Sequence, residues 1–348
     1  MPPPPMGANK SLDSILGSFV LPGMREGIEF FNRQLGVAFD LGNQIALAPW
    51  QVLSEYLKAN RRETLLDYIL SRKSEFVVTR ELNQAMYGAI GDANPIHHNI
   101  EQVVGYGTIF GFEFLRLRSG LPPEQLISLD ASYHHKMFEG DKISVKYAEG
   151  RFLPDDSLYL RGVGMRGDQV LTTYQYTLRL IGSGREFPLI TEVNGSTTVP
   201  EIVIPHYTES ELRKRVNMEW STKLSVDSDS LKNIATVFSV LRGGKFSDFD
   251  RVWGNRDLTE LYVAGAISNA MATLGGEGTL FRDLKIQFVN PLEYNNGLSV
   301  KVGLNDVSIS GNEENFKLPF SGEAHRQDGR LIARYAPFGL LPVAHQPS

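Results

Sequence analysis

The sequence of 348 residues contains no cysteine. Disulfide bonds, a thiolate nucleophile and cysteine metal ligands are therefore excluded. An excess of positive charge is also missing, because 35 Lys and Arg residues stand against 40 Asp and Glu residues, for a net charge of −5. This balance argues against a general affinity for nucleic acid or for anionic membrane surfaces.

Long apolar runs are absent as well. No run approaches the roughly 20 residues that a transmembrane helix needs, and the first ten residues, MPPPPMGANK, lack the apolar core of a signal peptide. The sequence therefore predicts a disordered start, no membrane insertion and a cytoplasmic location. The apolar content of 42% and the charged content of 22% are typical of a globular protein.

Hydrophobic periodicity divides the chain into four parts. Residues 1–74 form an N-terminal extension that becomes helical after its disordered start, and residues 75–182 combine two helices with strands of alternating apolar residues. A segment with several Gly and Pro residues, 183–216, is predicted to be a linker. Residues 217–348 then repeat the outline of 75–182.

The repeat is also visible in the residues themselves. LSVKV at Leu298–Val302 matches ISVKY at Ile143–Tyr147, and the same offset of 155 residues (143 to 298) relates Phe288 to Tyr133. Each half has the order strand, helix, helix, strands. We therefore expect an internal repeat in which one long helix is wrapped by an antiparallel sheet.

The stretch TRELNQAMYGAIGDANPIHHN, residues 79–99, carries the chemistry. It predicts a helix that is capped by Thr79 and ends at Gly91. The following Asn-Pro step favours a stiff bend that carries Asp92, Asn94 and His97. A carboxylate and an imidazole five positions apart on such a bend can converge on one small volume, as a base and an acid acting on one substrate must.

The longer segment FVVTRELNQAMYGAIGDANPIHHN resembles the signature of the MaoC-like (R)-specific enoyl-CoA hydratases and dehydratases. In that family a strand and a helix lead into a G-D-x-N-P-[LI]-H turn, which is matched by Gly91, Asp92, Asn94, Pro95, Ile96 and His97. The resemblance implies an α+β double hotdog, that is, two tandem hotdog repeats preceded by the helical extension. It covers residues 75–182 well, and 217–337 only through the repeat.

The resemblance also implies an activity, that of a hydro-lyase which adds or removes water at C2–C3 of an acyl thioester in fatty acid or polyketide metabolism. Asp92 and His97 are similar to the family's water-activating pair, and Asn94 would orient the water or the carboxylate. A backbone N–H near the start of the central helix would stabilise the thioester oxygen, with Gly107 as first choice and Gly105 as second. No metal or redox cofactor is needed, since CoA or the phosphopantetheine of an acyl carrier protein is part of the substrate.

The chain departs from the family pattern at three places. The loop between His97 and the central helix is shortened to NIEQVVGYGTI, and Lys136 stands where the family often has Pro. The second repeat has no Asp/His pair, so one active site per chain is expected, with the second hotdog as support. A double hotdog can act alone or form a homodimer, and both states remain open.

For the other histidines of this region, structural or solvent-exposed roles are favoured over a role in the site. His98 is expected to face solvent, because a neighbour on a turn usually points elsewhere. His134 and His135 are consecutive on a predicted strand and so face opposite sides, which excludes joint metal binding. One of them could line the pocket, but a structural role is favoured for both.

Three functions remain open from the sequence. The first is the hydratase or dehydratase described above. The second is a dehydratase-like cyclase or isomerase of a biosynthetic pathway, which the shortened loop and the N-terminal extension would suit. The third is a non-catalytic acyl-binding or scaffolding subunit, which the degenerate second half permits.

Overall fold

In the computed structural model of this protein, the described residues are 62–94, 97, 124–180, 204–225, 259–290, 297–311 and 314–343. Most of the predicted N-terminal extension lies outside these residues. The same holds for the central helix that the sequence predicts from about Val104 to Arg118.

The described residues from 62 to 180 contain two helices and five strands. Helix α1 covers residues 62–70 and helix α2 covers Arg80–Ile90. The strands are β1 Lys73–Val77, β2 Glu124–Tyr133, β3 Lys142–Phe152, β4 Leu158–Arg166 and β5 Gln169–Leu180.

The described residues from 204 to 343 contain two helices and six strands. The helices are α3 Glu209–Lys214 and α4 Thr259–Gly275. The strands are β6 Glu219–Ser225, β7 Leu280–Phe288, β8 Gly297–Leu304, β9 Ser308–Ile309, β10 Asn315–Arg326 and β11 Leu331–Pro342. Within the described ranges, no helix is long and apolar enough to span a membrane.

All of these strands belong to one antiparallel sheet, in which the two halves have the same strand order. From edge to middle, the first half runs β1, β3, β4, β5, β2, and the second half runs β6, β8, β10, β11, β7, with β9 paired to β10. The halves join where β2 pairs with β7, with Leu129 opposite Ile286 and Ala131 opposite Leu284. The protein is thus an α+β structure built on one large sheet.

Helix α4 is the buried element around which the second half is wrapped. It contacts β6, β7, β8, β10 and β11, and every residue from Val263 to Ser268 is buried. A helix that is apolar on nearly all sides needs such an enclosure, because an exposed face would leave apolar surface in water. The helical spacing of apolar residues on one face predicts a helix at 258–274, and the structure confirms this helix as Thr259–Gly275.

The segment predicted as a linker, 183–216, contains a structural element that the sequence analysis missed. Helix α3 begins with a capping box, in which Thr208 Oγ1 accepts from the Glu211 amide while the Glu211 carboxylate accepts from the Thr208 amide. The pattern T-E-S-E is a readable helix start. The Gly and Pro residues before it concealed this signal.

Helices α2 and α4 meet at a glycine, and this contact brings the two halves together next to the predicted catalytic turn. A Cβ atom on Gly265 would lie 2.3 Å from the carbonyl oxygen of Ile90, the last residue of α2. Only a residue without a side chain allows the backbones to approach this closely. The C-terminal end of α2 therefore packs directly against α4.

We expect Gly265→Ala to destabilise the protein, although alanine favours a helix by about 1 kcal/mol relative to glycine. The clash with Ile90 outweighs this preference, since overpacking of a core costs about 1–3 kcal/mol. Gly303→Ala is the matched control, because its Cβ would meet only ordinary contacts of 3.6 Å or more. Urea unfolding of both variants measures the difference, and equal stability of the two would contradict this account of the helix contact.

Candidate active site

Helix α2 leads into the turn that carries the predicted catalytic residues, and both ends of the helix lie where the sequence predicts them. Thr79 Oγ1 accepts a hydrogen bond from the Leu82 amide at 3.2 Å. Gly91 ends the helix in the left-handed conformation, with φ of 65°. A residue with a Cβ is disfavoured there, so the glycine allows the chain to turn at once into Asp92. The predicted helix and both of its caps are confirmed.

The turn that follows is held by local hydrogen bonds. The Asn94 amide donates to Asp92 Oδ1 at 3.0 Å, and the His97 amide donates to the Asn94 carbonyl at 3.0 Å. The Asn83 side chain, on α2, donates to the His97 carbonyl at 3.1 Å. These bonds fold the turn back against its own helix, which fixes the direction of both the carboxylate and the imidazole.

The carboxylate and the imidazole converge. His97 Nε2 lies 3.1 Å from Asp92 Oδ2, and both side chains have no exposed surface. The imidazole ring also stacks on Tyr87, with 4.7 Å between ring centroids and an angle of 12° between planes. A buried carboxylate–imidazole contact is stronger than the same contact in water, because the surroundings have a low dielectric constant.

The second half of the chain clamps this turn through Asn269 of α4. Its Oδ1 accepts from the Ala93 amide at 2.7 Å, and its Nδ2 donates to the Gly91 carbonyl at 2.7 Å. One side-chain amide therefore satisfies two backbone groups that flank Asp92. Backbone groups just past a helix end need such partners when they are buried.

Ser268, the residue before this clamp, adds a hydroxyl next to the imidazole. Its Oγ lies 3.3 Å from His97 Nε2, which is also the nitrogen that faces Asp92. In a serine-nucleophile triad the acid and the serine contact different ring nitrogens. The arrangement is therefore a carboxylate–imidazole pair with a neighbouring hydroxyl, and its geometry differs from that of such a triad.

A crevice adjoins the pair on the side of the second half. Its described lining consists of residues from the turn, from α4 and from the start of β7, namely Asn94, His97, Ser268, Met271, Thr279, Leu280 and Phe281. Asn94 Nδ2 also lies 3.4 Å from the Thr279 carbonyl across this crevice. His97 and Asn94 thus line this narrow crevice, and Asp92 is not among its described lining residues.

The structure brings together three of the five residues that the sequence proposes for the site, Asp92, Asn94 and His97. The proposed oxyanion donors, Gly107 and Gly105, lie outside the described residues, as does His98. Within the described residues, no group of three or more His, Asp or Glu side chains is placed to hold a metal ion.

The interpretation of His134 and His135 as consecutive strand residues is wrong. Strand β2 ends at Tyr133, and the backbone amides of both histidines donate to the carbonyl oxygen of Leu171. The two-residue alternation of a strand therefore does not apply to them. Both line a groove instead.

Sequence reasoning missed the contribution of Ser268, Asn269 and Thr279. A signal was present, since Ser268 and Asn269 interrupt the apolar run VAGAISNAMATLG of a helix predicted to be enclosed. Buried polar side chains need hydrogen-bond partners, so two adjacent ones on an enclosed helix indicate a polar site nearby. Their partners, however, are 171 and 176 residues away in the sequence.

Neither a protein-family model nor a curated protein sequence matches this chain. Solved structures with a similar overall course include a MaoC domain protein of Chloroflexus aurantiacus J-10-fl, at 11% identity and a TM-score of 0.49 over 80% of this chain and 96% of the other. A double hotdog protein of Mycobacterium tuberculosis is 14% identical, with a TM-score of 0.48 over 78% and 96% of the two chains.

An acyl-CoA thioesterase II of Mycobacterium marinum is also similar, at 12% identity and a TM-score of 0.40 over 80% of this chain and 99% of the other. These similarities concern the course of the backbone, and the sequences themselves are only 11–14% identical. The activity of this chain therefore has to be inferred from its own residues.

We expect Asn269→Ala to loosen the turn around Asp92. The substitution leaves the Ala93 amide and the Gly91 carbonyl without their side-chain partner, which costs about 1–3 kcal/mol for each buried group left unsatisfied. Asn290→Ala is a suitable control, because Asn290 donates one side-chain hydrogen bond, to the Leu331 carbonyl. Chemical unfolding should show a larger loss for Asn269→Ala, and a loss no greater than that of the control would argue against the clamp.

Proposed function

We propose that this chain is an acyl-thioester hydro-lyase, a hydratase or dehydratase acting on a 2-enoyl or 3-hydroxyacyl group carried by CoA or by an acyl carrier protein. The observation that carries the proposal is the buried contact of 3.1 Å between His97 and Asp92, with His97 facing a crevice. These are the residues that the hydratase-like turn motif singles out. The reaction needs acid–base groups and no metal or redox cofactor.

In this reaction each member of the pair transfers one proton. As the oxygen of water forms a bond to C3 of the enoyl group, one member takes a proton from that water. The C2–C3 double bond becomes a single bond, and the other member delivers a proton to C2. In the dehydration direction the two roles reverse. The short distance between the groups suits this exchange, because both must act on one substrate.

The architecture behind the proposal is a double hotdog with one active repeat. The first half supplies Asp92, Asn94 and His97. The equal strand order of the halves supports a tandem repeat, and the second half supports the site through Asn269 and through the crevice wall at Thr279.

We expect Asp92→Asn and His97→Ala each to lower the rate of water addition to crotonyl-CoA by about 10²–10⁴, the usual contribution of a general acid or base. Asp156→Asn and His206→Ala are matched controls, because they remove the same groups from exposed surface positions. Both controls should keep the activity of the unchanged protein. Near-normal turnover by either site variant would overturn the assignment of its role.

Mass analysis of the products separates this activity from its rivals. A hydratase yields a thioester heavier by one water, a cyclase or isomerase yields a product of unchanged mass, and a thioesterase releases a free thiol and an acid. A non-catalytic acyl-binding subunit would gain thermal stability from acyl thioesters without turnover. Crotonyl-CoA, a long-chain enoyl-CoA and a carrier-bound enoyl substrate should be compared, and only the first kind of product supports the proposal.

A further inference from the structure

The buried hydroxyl of Ser268 is a polar group beside the imidazole that the carboxylate–imidazole pair itself does not include. Its Oγ lies 3.3 Å from His97 Nε2, and both residues are buried. Asp92 Oδ2 approaches the same nitrogen at 3.1 Å. The ring nitrogen therefore has two polar neighbours, one from the turn in the first half and one from helix α4 in the second half.

The position of Ser268 on α4 explains how its hydroxyl reaches the imidazole. Ser268 and Asn269 follow Gly265 by three and four residues, which places all three on one face of the helix. Gly265 lets this face approach the end of α2 closely. Asn269 then holds the backbone on both sides of Asp92, and Ser268 contacts the side chain of His97. The same helix face thus holds both the backbone of the turn and its imidazole.

The two neighbours of Nε2 differ in the hydrogen bonds that they can make. An ionised carboxylate accepts hydrogen bonds and donates none, whereas a hydroxyl can both donate and accept. When Nε2 carries a proton, that N–H can donate to Asp92 or to Ser268. When Nε2 carries no proton, it presents a lone pair, which the carboxylate repels and to which the hydroxyl can donate. Ser268 is therefore the neighbour that suits both protonation states of this nitrogen.

We propose that Ser268 is a positioning residue that holds the imidazole of His97 in one orientation through both protonation states of Nε2. This inference rests on the proposed function, in which His97 gains or loses a proton in each turnover. The hydroxyl accepts from the protonated nitrogen and rotates about its Cβ–Oγ bond to donate when the proton has left. Ser268 forms no bond to the substrate and has the same proton before and after the reaction. The imidazole thus stays aligned for proton transfer in both directions.

Three substitutions separate the effect of the hydroxyl from that of side-chain size. Ser268→Ala removes the hydroxyl, while Ser268→Thr and Ser268→Val introduce side chains of the same shape, of which only the first has a hydroxyl. We expect the Ala and Val variants to hydrate crotonyl-CoA with kcat lowered about tenfold. Their KM should stay the same, because the hydroxyl acts through His97 and not on the substrate. Ser268→Thr should restore the rate that Ser268→Val loses.

Ser157→Ala is the matched control. Ser157 is also buried, and its hydroxyl donates to Asp155 Oδ1 at 2.6 Å in the connection between β3 and β4. This substitution removes a buried serine hydroxyl beside a carboxyl group away from the candidate site, so kcat and KM should not change. The positioning role is refuted if Ser157→Ala and Ser268→Ala lower kcat equally, or if the Thr and Val variants have equal rates. A raised KM with unchanged kcat in Ser268→Ala also refutes it, since that result indicates contact with the substrate.

A spectroscopic measurement tests the contact without any turnover. The nitrogen-15 resonance of His97 Nε2 is the one that His97→Ala lacks, and its position depends on the proton and the hydrogen bonds of that nitrogen. We expect this resonance to move in Ser268→Ala and Ser268→Val and to stay in place in Ser268→Thr. An unchanged resonance in all three variants would exclude the proposed role.

The two measurements distinguish this inference from the proposed activity. If the resonance moves as expected but the unchanged protein converts no enoyl thioester, the positioning of the imidazole is supported and the hydro-lyase proposal fails. If crotonyl-CoA is hydrated at the same rate by the unchanged protein and by Ser268→Ala, the activity stands and the role of Ser268 is wrong.

Discussion

The candidate site depends on the two hydrogen bonds that Asn269 makes to the backbone on either side of Asp92. A helix end followed by a sharp bend leaves buried backbone groups without partners, and such groups are costly. A side-chain amide can satisfy a donor and an acceptor at once. The turn can therefore be buried without being part of the sheet.

The two halves contribute different parts of the candidate site, because the hydrogen bonds of Asn269 join them. The first half carries the proposed catalytic side chains on a turn, and the second half supplies the buried helix that holds the turn. Close packing at Gly265 brings the Asn269 amide within reach of the turn, and the β2–β7 pair joins the halves in one sheet. The second half thus contributes to the geometry of the turn in the first half.

Local features were predictable wherever a few neighbouring residues decide the outcome. The caps at Thr79 and Gly91 followed from their own chemistry, and the helix at Thr259–Gly275 followed from the helical spacing of its apolar residues. Errors arose where a pattern was extended beyond its element. His134 and His135 were assigned to a strand that ends at Tyr133, and Gly and Pro residues concealed the capping box at Thr208.

The sequence by itself determined that Asp92, Asn94 and His97 share one tight bend, because helix caps and turns depend on contacts within a few residues. Only the tertiary structure decided which distant side chains complete the site. Ser268 and Asn269 reach the turn from more than 170 residues away. Periodicity indicates which face of an element is buried, whereas the partner of that face is set by strand order and by the close approach of helices.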